Sequence, residues 1–298
     1  MGRSAGGVRS PGVRIDLHTH STASDGTLAP AQLMNAARAA GLDVVALTDH
    51  DTTAGWDEAR AALPPGLTLV PGCELSCRVE EDEKVISLHL LAFLFDGDEP
   101  TLAGARARVR ASRRDRAAAV LDRLRAGGYD VPLYRVREIA GGGTVGRPHI
   151  ARAMVELGIV ADVETAFTDD WIATGGRYWV GKEETDVFTA LGLVRAAGGV
   201  SVFAHPFAAR RGAVVGPASI AALAAAGLDG VEVDHPDHTR AEAESLRSLA
   251  SDLGLVVTGA SDFHGSGRPH ELGVHTTARA AYEALVARAG GRPVPGGC

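Results

Sequence analysis

Histidine and carboxylate side chains recur along this chain of 298 residues in the company of short apolar stretches. The first stretch, IDLHTHSTASDG at residues 15–26, places His18 and His20 at its end and Asp25 five residues after His20. Because strand side chains alternate between faces, the two imidazoles are expected to leave the strand on the same side. Imidazole and carboxylate groups bind metals, so the spacing predicts part of a metal site, although the stretch alone is equally compatible with a polar surface loop.

Similar side chains accompany five further apolar stretches. They are His50 in ALTDHDT, Glu74 in PGCELS, His89 in LHLLAF, His205 in FAHP, and Asp262 and His264 in SDFHG. Buried polar groups without partners are costly to retain. We therefore expect the nine residues to meet in one pocket that binds cations.

Apolar segments bounded by turn residues predict alternating strands and helices. The expected strands cover residues 13–17, 43–48, 67–70, 84–94, 200–204, 230–233 and 255–259. The expected helices cover residues 27–40, 55–62, 102–126, 150–157, 163–168, 185–197 and 217–226, followed by one that Thr239 and Glu242 cap. This alternation predicts a mostly parallel sheet, in which ligands gather at the carboxyl ends of the strands. Every one of the nine candidates except His89 is expected at such an end.

The alternation stops between residues 99 and 186, where a long helix rich in alanine and arginine is followed by shorter ones. A segment of this size falls within the usual range for a domain. We therefore predict a disordered tail at residues 1–12, two barrel segments at 13–98 and 187–298, and a helical insertion at 99–186 that covers the substrate.

The composition is that of a globular protein, with 45% hydrophobic and 22% charged residues. The chain contains no run of apolar residues long enough for a membrane-spanning helix. The first residues lack the apolar core of a signal peptide, and an odd number of three cysteines fits a reducing compartment, so a cytoplasmic location is expected. The net charge of -7 argues against a DNA-binding module.

In this order and at these intervals, HTHSTASDGT, ALTDHDT, PGCELS, LHLLAF, FAHP and SDFHG resemble the motifs of the polymerase and histidinol phosphatase (PHP) family of metal-dependent phosphoesterases. GRPHIARA and HPDH resemble, more narrowly, the subgroup that removes phosphate from nucleotides, including nucleoside 3',5'-bisphosphates, or trims 5'-phosphorylated RNA. The resemblance implies an α/β fold, a distorted seven-stranded β/α barrel with a helical insertion. It also implies up to three metal ions.

The resemblance further implies how the nine ligands divide among the metals. The first metal would be held by His18, His20, Glu74 and Asp262, the second by Glu74, His89 and His205 with Glu74 bridging, and the third by Asp25, His50 and His264. The expected catalytic residues are His18, His20, Glu74, His205, Asp262 and His264.

Phosphate ester hydrolysis explains these residue types. Metal ions about 3.5–4 Å apart stabilise the attacking and leaving oxygens and lower the pKa of bound water from about 15.7 to near 7, so no serine or cysteine nucleophile is needed. Mixed histidine and carboxylate ligands suit manganese, iron or zinc better than magnesium, and we expect two or three divalent ions with manganese as the first choice. Asp16 and Asp49 are candidates to orient ligating imidazoles, or are ordinary polar residues at strand ends.

Further residues are candidates for substrate binding. Arg147 and His149 begin a helix, where they could hold a second phosphate or simply start the helix. The other candidates are Lys182, Arg177 and His235, whereas His238 is expected at the surface.

The long helix carries a run of arginines, namely Arg106, Arg108, Arg110, Arg113, Arg114 and Arg116. They could track an RNA backbone. Because helical spacing aligns only Arg106, Arg110 and Arg113, a solvated helix face is the favoured interpretation.

We therefore expect a metal-dependent enzyme that hydrolyses phosphate monoesters of nucleotides, such as 5'-AMP or nucleoside 3',5'-bisphosphates, or acts on RNA 5' ends. One alternative is a phosphatase of the histidinol-phosphate type, against which the GRPH and HPDH segments speak. Another is a metal-dependent nucleotide-binding module without activity. A third, amidohydrolase-type attack on a C–N bond, would call for a strand-end lysine beside the histidine pair, which the chain lacks.

Overall fold

The computed structural model describes residues 12–141, 145–265 and 270–289, so the predicted tail at 1–12 lies outside the described residues except for Gly12. Seven strands form one curled sheet in the order β1-β2-β3-β4-β6-β7-β8, and β5 pairs with β3 at its side. The strands are β1 Ile15–Asp16, β2 Val44–Leu47, β3 Thr68–Glu81, β4 Lys84–Phe93, β5 Thr185–Asp186, β6 Val200–Phe203, β7 Gly230–Asp234 and β8 Val256–Gly259.

The two ends of the sheet approach each other. Thr19, just after β1, forms a parallel bridge with Phe263, just after β8. The backbone N–H of His20 donates a 2.8 Å hydrogen bond to the carbonyl of Phe263, and the N–H of Thr277 donates one of 2.8 Å to Ile15. The sheet is therefore a nearly closed, distorted barrel of seven strands, as predicted.

The third strand is the main departure from the sequence-based prediction. It was expected to end at Val70, because Pro71 and Gly72 suggested a stop, but it continues to Glu81. Pro71 lies where the parallel pairing with β2 ends, and from Gly72 onward the strand pairs antiparallel with β4. Strand β4 is also antiparallel to β6, so the expectation of a mostly parallel sheet is wrong in its middle.

Glu74 consequently lies inside a strand and not at the end of one. The apolar alternation that follows Gly72 is the physical reason for the long strand, since Cys73, Leu75 and Cys77 all point into the core. The hairpin turns at residues 82 and 83, which both have positive φ, as a tight two-residue turn requires.

The helices connect these strands and build the insertion. They are α1 Pro30–Ala39, α2 Trp56–Ala61, α3 Pro100–Ala126, α4 Leu133–Ile139, α5 Arg147–Glu156, α6 Val163–Ala166, α7 Val187–Ala196, α8 Pro217–Ala225, α9 Arg240–Asp252 and α10 Arg279–Arg288. Helices α4 and α10 were not predicted. The others lie within a few residues of their expected positions.

The insertion has a hydrophobic cluster of its own, which includes Leu124, Val136, Ile150 and Met154. Helix α3 joins this cluster to the barrel, because its early residue Leu102 packs in the barrel core instead. The separate core supports our proposal that the chain consists of a barrel interrupted by a helical unit at residues 99–186.

Among the described helices, none combines the length and the apolar character that crossing a membrane requires. The cytoplasmic location stays a prediction.

The insertion core generates a stability prediction. Leu124→Ala removes a fully buried side chain and is expected to lower the free energy of unfolding by about 2–5 kcal/mol. The matched control is Leu157→Ala, because Leu157 is 47% exposed in the same unit, and a change within about 0.5 kcal/mol is expected there. Urea denaturation followed by circular dichroism measures both, and equal effects would contradict the assignment of this core.

Candidate metal centre

His18 and His20 follow β1 and are fully buried. Their ring centroids lie 5.1 Å apart, on the same side of the chain, as the alternating spacing predicts. The Nε2 atoms of His18 and His20 lie 3.3 and 3.2 Å from Oδ1 of Asp262, which follows β8 on the neighbouring edge of the barrel. The closure of the barrel therefore brings together residues that are more than 240 positions apart in the sequence.

Glu74 lies at the centre of the pocket and is 1% exposed. Five imidazoles surround its two oxygens at 2.6–3.2 Å, those of His18, His20 and His50 at Oε2 and those of His89 and His205 at Oε1. His50 reaches this position through a parallel bridge with Glu74, and His89 lies on the paired strand β4. The antiparallel hairpin thus supplies both the central carboxylate and one of its histidines.

Three groups of potential ligand atoms lie within 4.8 Å of one another. They are His18, His20, Glu74 and Asp262; His50, Glu74 and His89; and His20, Asp25, His50 and His264. The first group is the set that the family resemblance implies. The second contains His50 where His205 was expected, and the third contains His20 in addition. All nine predicted residues nevertheless share one pocket, since His205 contacts Glu74 at 3.1 Å.

Asp25 reaches the pocket from a tight loop. Its Oδ1 lies 3.4 Å from Nε2 of His264, and its Oδ2 lies 3.9 Å from Nε2 of His50. A Cβ atom at Gly26 would lie 2.4 Å from the carbonyl oxygen of His20, so only glycine fits beside this backbone. The Ser-Asp-Gly sequence therefore holds the carboxylate at the mouth of the site.

The donor atoms fit divalent cations. Among the described residues, Nε2 of His18, Nε2 of His20, Nδ1 of His50 and Oε2 of Glu74 are buried without a hydrogen-bond partner. The nitrogens are close to the carboxylate oxygen but are not aligned for hydrogen bonding. Leaving so many polar atoms unsatisfied would be costly, whereas a ring of imidazole nitrogens and carboxylate oxygens matches the ligands of manganese, iron or zinc.

The electrostatics of the pocket favour positive charge. Burial raises the pKa of Glu74, but the charges of His50 and His89 outweigh burial and hold that pKa well below its usual value. Burial lowers the pKa of His20, but contacts with Asp262 and Glu74 outweigh it and raise the pKa to about 9. The carboxylates thus stay ionised and require a compensating cation, which is either a proton on an imidazole or a metal ion.

Glu232 is a functional residue that the sequence analysis missed. It lies in β7 and is fully buried, with Oε1 at 3.1 Å from Nδ1 of His18 and Oε2 accepting a 2.9 Å hydrogen bond from the N–H of His205. Burial raises its pKa, but the charge of His18 and the hydrogen bond with it outweigh burial and lower the pKa to about 2. The one feature of the sequence that could have pointed to Glu232 is a lone carboxylate between Val231 and Val233 in the middle of a buried strand.

Asp16 and Asp49 orient loops and not imidazole rings. The carboxylate of Asp16 accepts hydrogen bonds from the N–H groups of Ser261 at 3.1 Å and Gly273 at 2.8 Å. The carboxylate of Asp49 accepts from the N–H of Ser21 at 2.8 Å and from the hydroxyl of Ser24 at 2.6 Å. Both residues therefore fix the backbone that carries the candidate ligands, so neither of the two roles considered for them, partner of an imidazole or ordinary strand-end residue, describes them.

His235 lies beside the metal centre, as expected of a substrate contact. Its Nδ1 accepts a 3.0 Å hydrogen bond from the N–H of Asp237, which leaves the ring proton on Nε2. That Nε2 is buried and lies 3.6 Å from Oδ2 of Asp262. His238, in contrast, is half-buried and accepts from the N–H of Phe207 at 3.2 Å, so it braces the loop after β6.

Arg147 and His149, at the start of α5, make different contacts. Arg147, the first residue of α5, donates a 3.0 Å hydrogen bond to the carbonyl of Ile172. His149 is 1% exposed, and its Nδ1 accepts from the N–H of Gly146 at 3.0 Å. Burial lowers the pKa of His149 to about 4. His149 therefore caps its own helix as a neutral imidazole.

Four cations, one of which pairs with the residue after His50, lie close enough to shift one another's pKa values. They are Arg113, Arg116, Arg147 and Lys182, which we call the basic cluster. Arg113 forms a 3.1 Å ion pair with Asp51, and Lys182 pairs with Glu184. Burial, followed by the charges of Arg113 and Arg147, lowers the pKa of Arg116 to about 9, so these cations lie close together.

The arginines of α3 differ from the exposure that was expected of them. Arg106, Arg113 and Arg116 are buried, so the run on α3 is not a uniformly solvated face. Arg177 is exposed and stacks over the ring of Tyr178 at 5.4 Å, within the insertion and away from the basic cluster.

This chain is similar in sequence and fold to known proteins. The family model described as the PHP domain matches residues 16–126. A 5'-3' exoribonuclease of Haemophilus influenzae is 34% identical over 84% of this chain and 90% of its own length. A 3',5'-nucleoside bisphosphate phosphatase of Chromobacterium violaceum is 32% identical over 85% of this chain and 88% of its own length. A crystal structure from Bifidobacterium adolescentis, provisionally assigned as a metal-dependent phosphoesterase, matches with a TM-score of 0.85 and 35% identity over 94% of this chain and 98% of that chain.

The position of Glu74 predicts that Glu74→Gln abolishes retention of manganese, because the central negative charge disappears while the size of the side chain is kept. Metal content after loading and desalting, measured by inductively coupled plasma mass spectrometry, tests this. Glu80→Gln, at the exposed end of the same strand, serves as the control and should bind like the wild type. Full retention by Glu74→Gln would show that Glu74 is not a ligand.

Glu232→Gln is expected to weaken manganese binding by about 10- to 100-fold, the usual effect of removing a partner that orients a metal-binding histidine. Isothermal titration calorimetry measures the affinity, and a thermal melt of the metal-free protein detects general loss of fold. An unchanged affinity would mean that Glu232 supports only the backbone at His205.

Proposed function

The chain belongs to the PHP-domain family, and from this premise we propose that it releases phosphate from phosphorylated nucleotides or acts on 5'-phosphorylated RNA. The family supplies the reaction class, a metal-dependent hydrolysis of phosphoester bonds. The observation that carries the proposal is the convergence of five imidazoles on the buried carboxylate of Glu74.

We propose two or three divalent ions, manganese before iron or zinc, held by the nine side chains of the pocket. Such ions polarise phosphoryl oxygens and lower the pKa of water, which is the chemistry that ester hydrolysis requires. Both oxygens of Glu74 face imidazoles, Oε2 towards His18 and His20 and Oε1 towards His89 and His205, which supports a bridging role for this carboxylate.

His235 supplies a hydrogen-bond donor to the substrate. Because Nδ1 accepts from the backbone of Asp237, the Nε2–H group is the donor, and it is buried beside Asp262. A donor fixed in this way can bind a phosphoryl oxygen without first reorganising. Among the described residues, its Nε2 has no hydrogen-bond partner, which leaves the group available to a ligand.

The basic cluster supplies a site for a second phosphate. Its four cations face two carboxylates, those of Asp51 and Glu184, so positive charge is in excess. Arg116 is only 6% exposed, and its side chain makes no hydrogen bond or ion pair with any residue that the structure describes. Burial and the neighbouring cations disfavour the charge of Arg116, so a bound anion would stabilise it, and arginine matches the geometry of phosphate.

This cluster favours a substrate that carries two phosphates. It speaks against histidinol phosphate, which carries one. Arg147 belongs to the proposed phosphate site, and Lys182 adds positive charge to that site. His149 contributes by fixing the start of α5 next to Arg147. Arg177 remains a candidate without a supporting contact.

We expect the manganese-loaded protein to release phosphate from adenosine 3',5'-bisphosphate with a higher kcat/KM than from 5'-AMP. Arg116→Gln should lower kcat/KM for the bisphosphate by about tenfold, the loss of roughly 1.4 kcal/mol of binding, and leave 5'-AMP nearly unchanged. Steady-state assays of released phosphate measure both substrates.

Arg108→Gln is the control, because Arg108 is exposed on the same helix. Absence of turnover for every phosphoester with every divalent metal would refute the proposed activity. Tight nucleotide binding with the ligand recovered intact would instead favour a binding module.

A further inference from the structure

A cleft of about 450 Å³ lies between helix α3 and two loops that carry candidate metal ligands. One wall is the loop that carries Thr22, between the ligands His20 and Asp25, and another is the loop that carries Thr52, two residues after His50. The volume falls within the range of about 300–1,000 Å³ that is typical of small-molecule pockets. The cleft can therefore receive a group the size of one nucleotide beside the proposed reaction site.

Helix α3 forms the third wall with Arg110 and Arg114. Residues four positions apart lie on the same face of a helix, one turn from each other. Arg110 is half-buried and donates a hydrogen bond to the carbonyl of Asp51, which fixes its position. Arg114 is exposed, and its side chain makes no hydrogen bond or ion pair with the described part of the chain.

Asp51 joins this cleft to the basic cluster. Its carbonyl accepts from Arg110 and its carboxylate from Arg113, so the two basic surfaces lie on either side of one residue that directly follows a metal ligand. A chain of phosphates that occupies the metal centre can therefore continue along α3. Glu58 is the one carboxylate among the lining residues, and its Oε1 accepts the N–H of Ala31 on the wall opposite α3.

The lining contains no aromatic side chain among the described residues. Stacking of bases, which usually anchors single-stranded nucleic acid, is therefore absent, and guanidinium and hydroxyl groups remain as the binding groups. Such groups bind the sugar–phosphate backbone independently of sequence and with a strong dependence on salt.

We propose that this cleft binds the backbone of the nucleotide that follows the reacting one, so that an oligoribonucleotide is held better than a mononucleotide. The proposal rests on the proposed phosphoesterase function and refines its substrate class. Arg114 binds the phosphate of the following nucleotide, and Arg110 shapes the wall through its bond to Asp51.

The experiment compares a 5'-phosphorylated pentaribonucleotide with 5'-AMP as substrates of the manganese-loaded protein. Arg114→Gln should raise KM for the pentamer by about three- to tenfold and leave kcat/KM for 5'-AMP within about twofold, since only the longer substrate reaches the cleft. The dependence of log KM on log salt should become shallower by about 0.7, the value for one lost contact to a single strand. Arg114→Glu should act more strongly in the same direction.

Arg108→Gln serves as the control, because Arg108 is exposed on α3 but outside the cleft. Fluorescence anisotropy of the labelled pentamer in EDTA gives a second readout, in which Arg114→Glu should bind more weakly than the wild type.

Equal effects of Arg114→Gln on both substrates, an unchanged KM for the pentamer, or a wild type that cleaves 5'-AMP but not the pentamer would each overturn the cleft assignment while leaving the phosphoesterase intact. Failure of the wild type on every phosphoester would instead refute the proposed function itself.

Discussion

The whole molecule depends on keeping the carboxylate of Glu74 ionised although it is almost completely buried in the barrel. A buried charge is expensive unless opposite charges surround it. The barrel meets this demand with imidazoles from four different elements, which is possible only if the elements converge on one point. The long hairpin of β3 and β4 provides that point, because it places Glu74 beside His50 on one side and close to His89 on the other.

The convergence also depends on two residues with unusual backbone conformations and on a second buried carboxylate, that of Glu232. His205 and Asp262 have positive φ values of 32° and 50°, conformations that cost roughly 1–3 kcal/mol each in residues other than glycine. They persist because the surroundings determine them, as with the hydrogen bond from the N–H of His205 to Glu232. Glu232 also contacts the ring of His18, so one carboxylate fixes ligands from two strands.

Sequence reasoning brought the nine candidate ligands together because histidines recur beside apolar segments along the chain, as at His18, His50 and His205. It placed Glu74 at a strand end because proline and glycine at positions 71 and 72 usually end a strand. The strand instead continues, and its pairing changes there from β2 to β4. Sequence reasoning missed Glu232 because a single carboxylate in a strand carries no spacing pattern. Its role exists only through the contact with His18, a residue 214 positions away, which local sequence patterns do not reveal.

Asp51 shows how binding and chemistry are joined in this fold. It directly follows His50, has a positive φ of 55°, and accepts hydrogen bonds from Ser76 and Arg113. Any shift of α3 would therefore move the backbone next to a metal ligand. Because α3 also carries side chains into the core of the insertion, the proposed phosphate binding on this helix and the geometry of the proposed metal pocket would be linked through one carboxylate. The insertion is thus better understood as part of the site than as a passive cover.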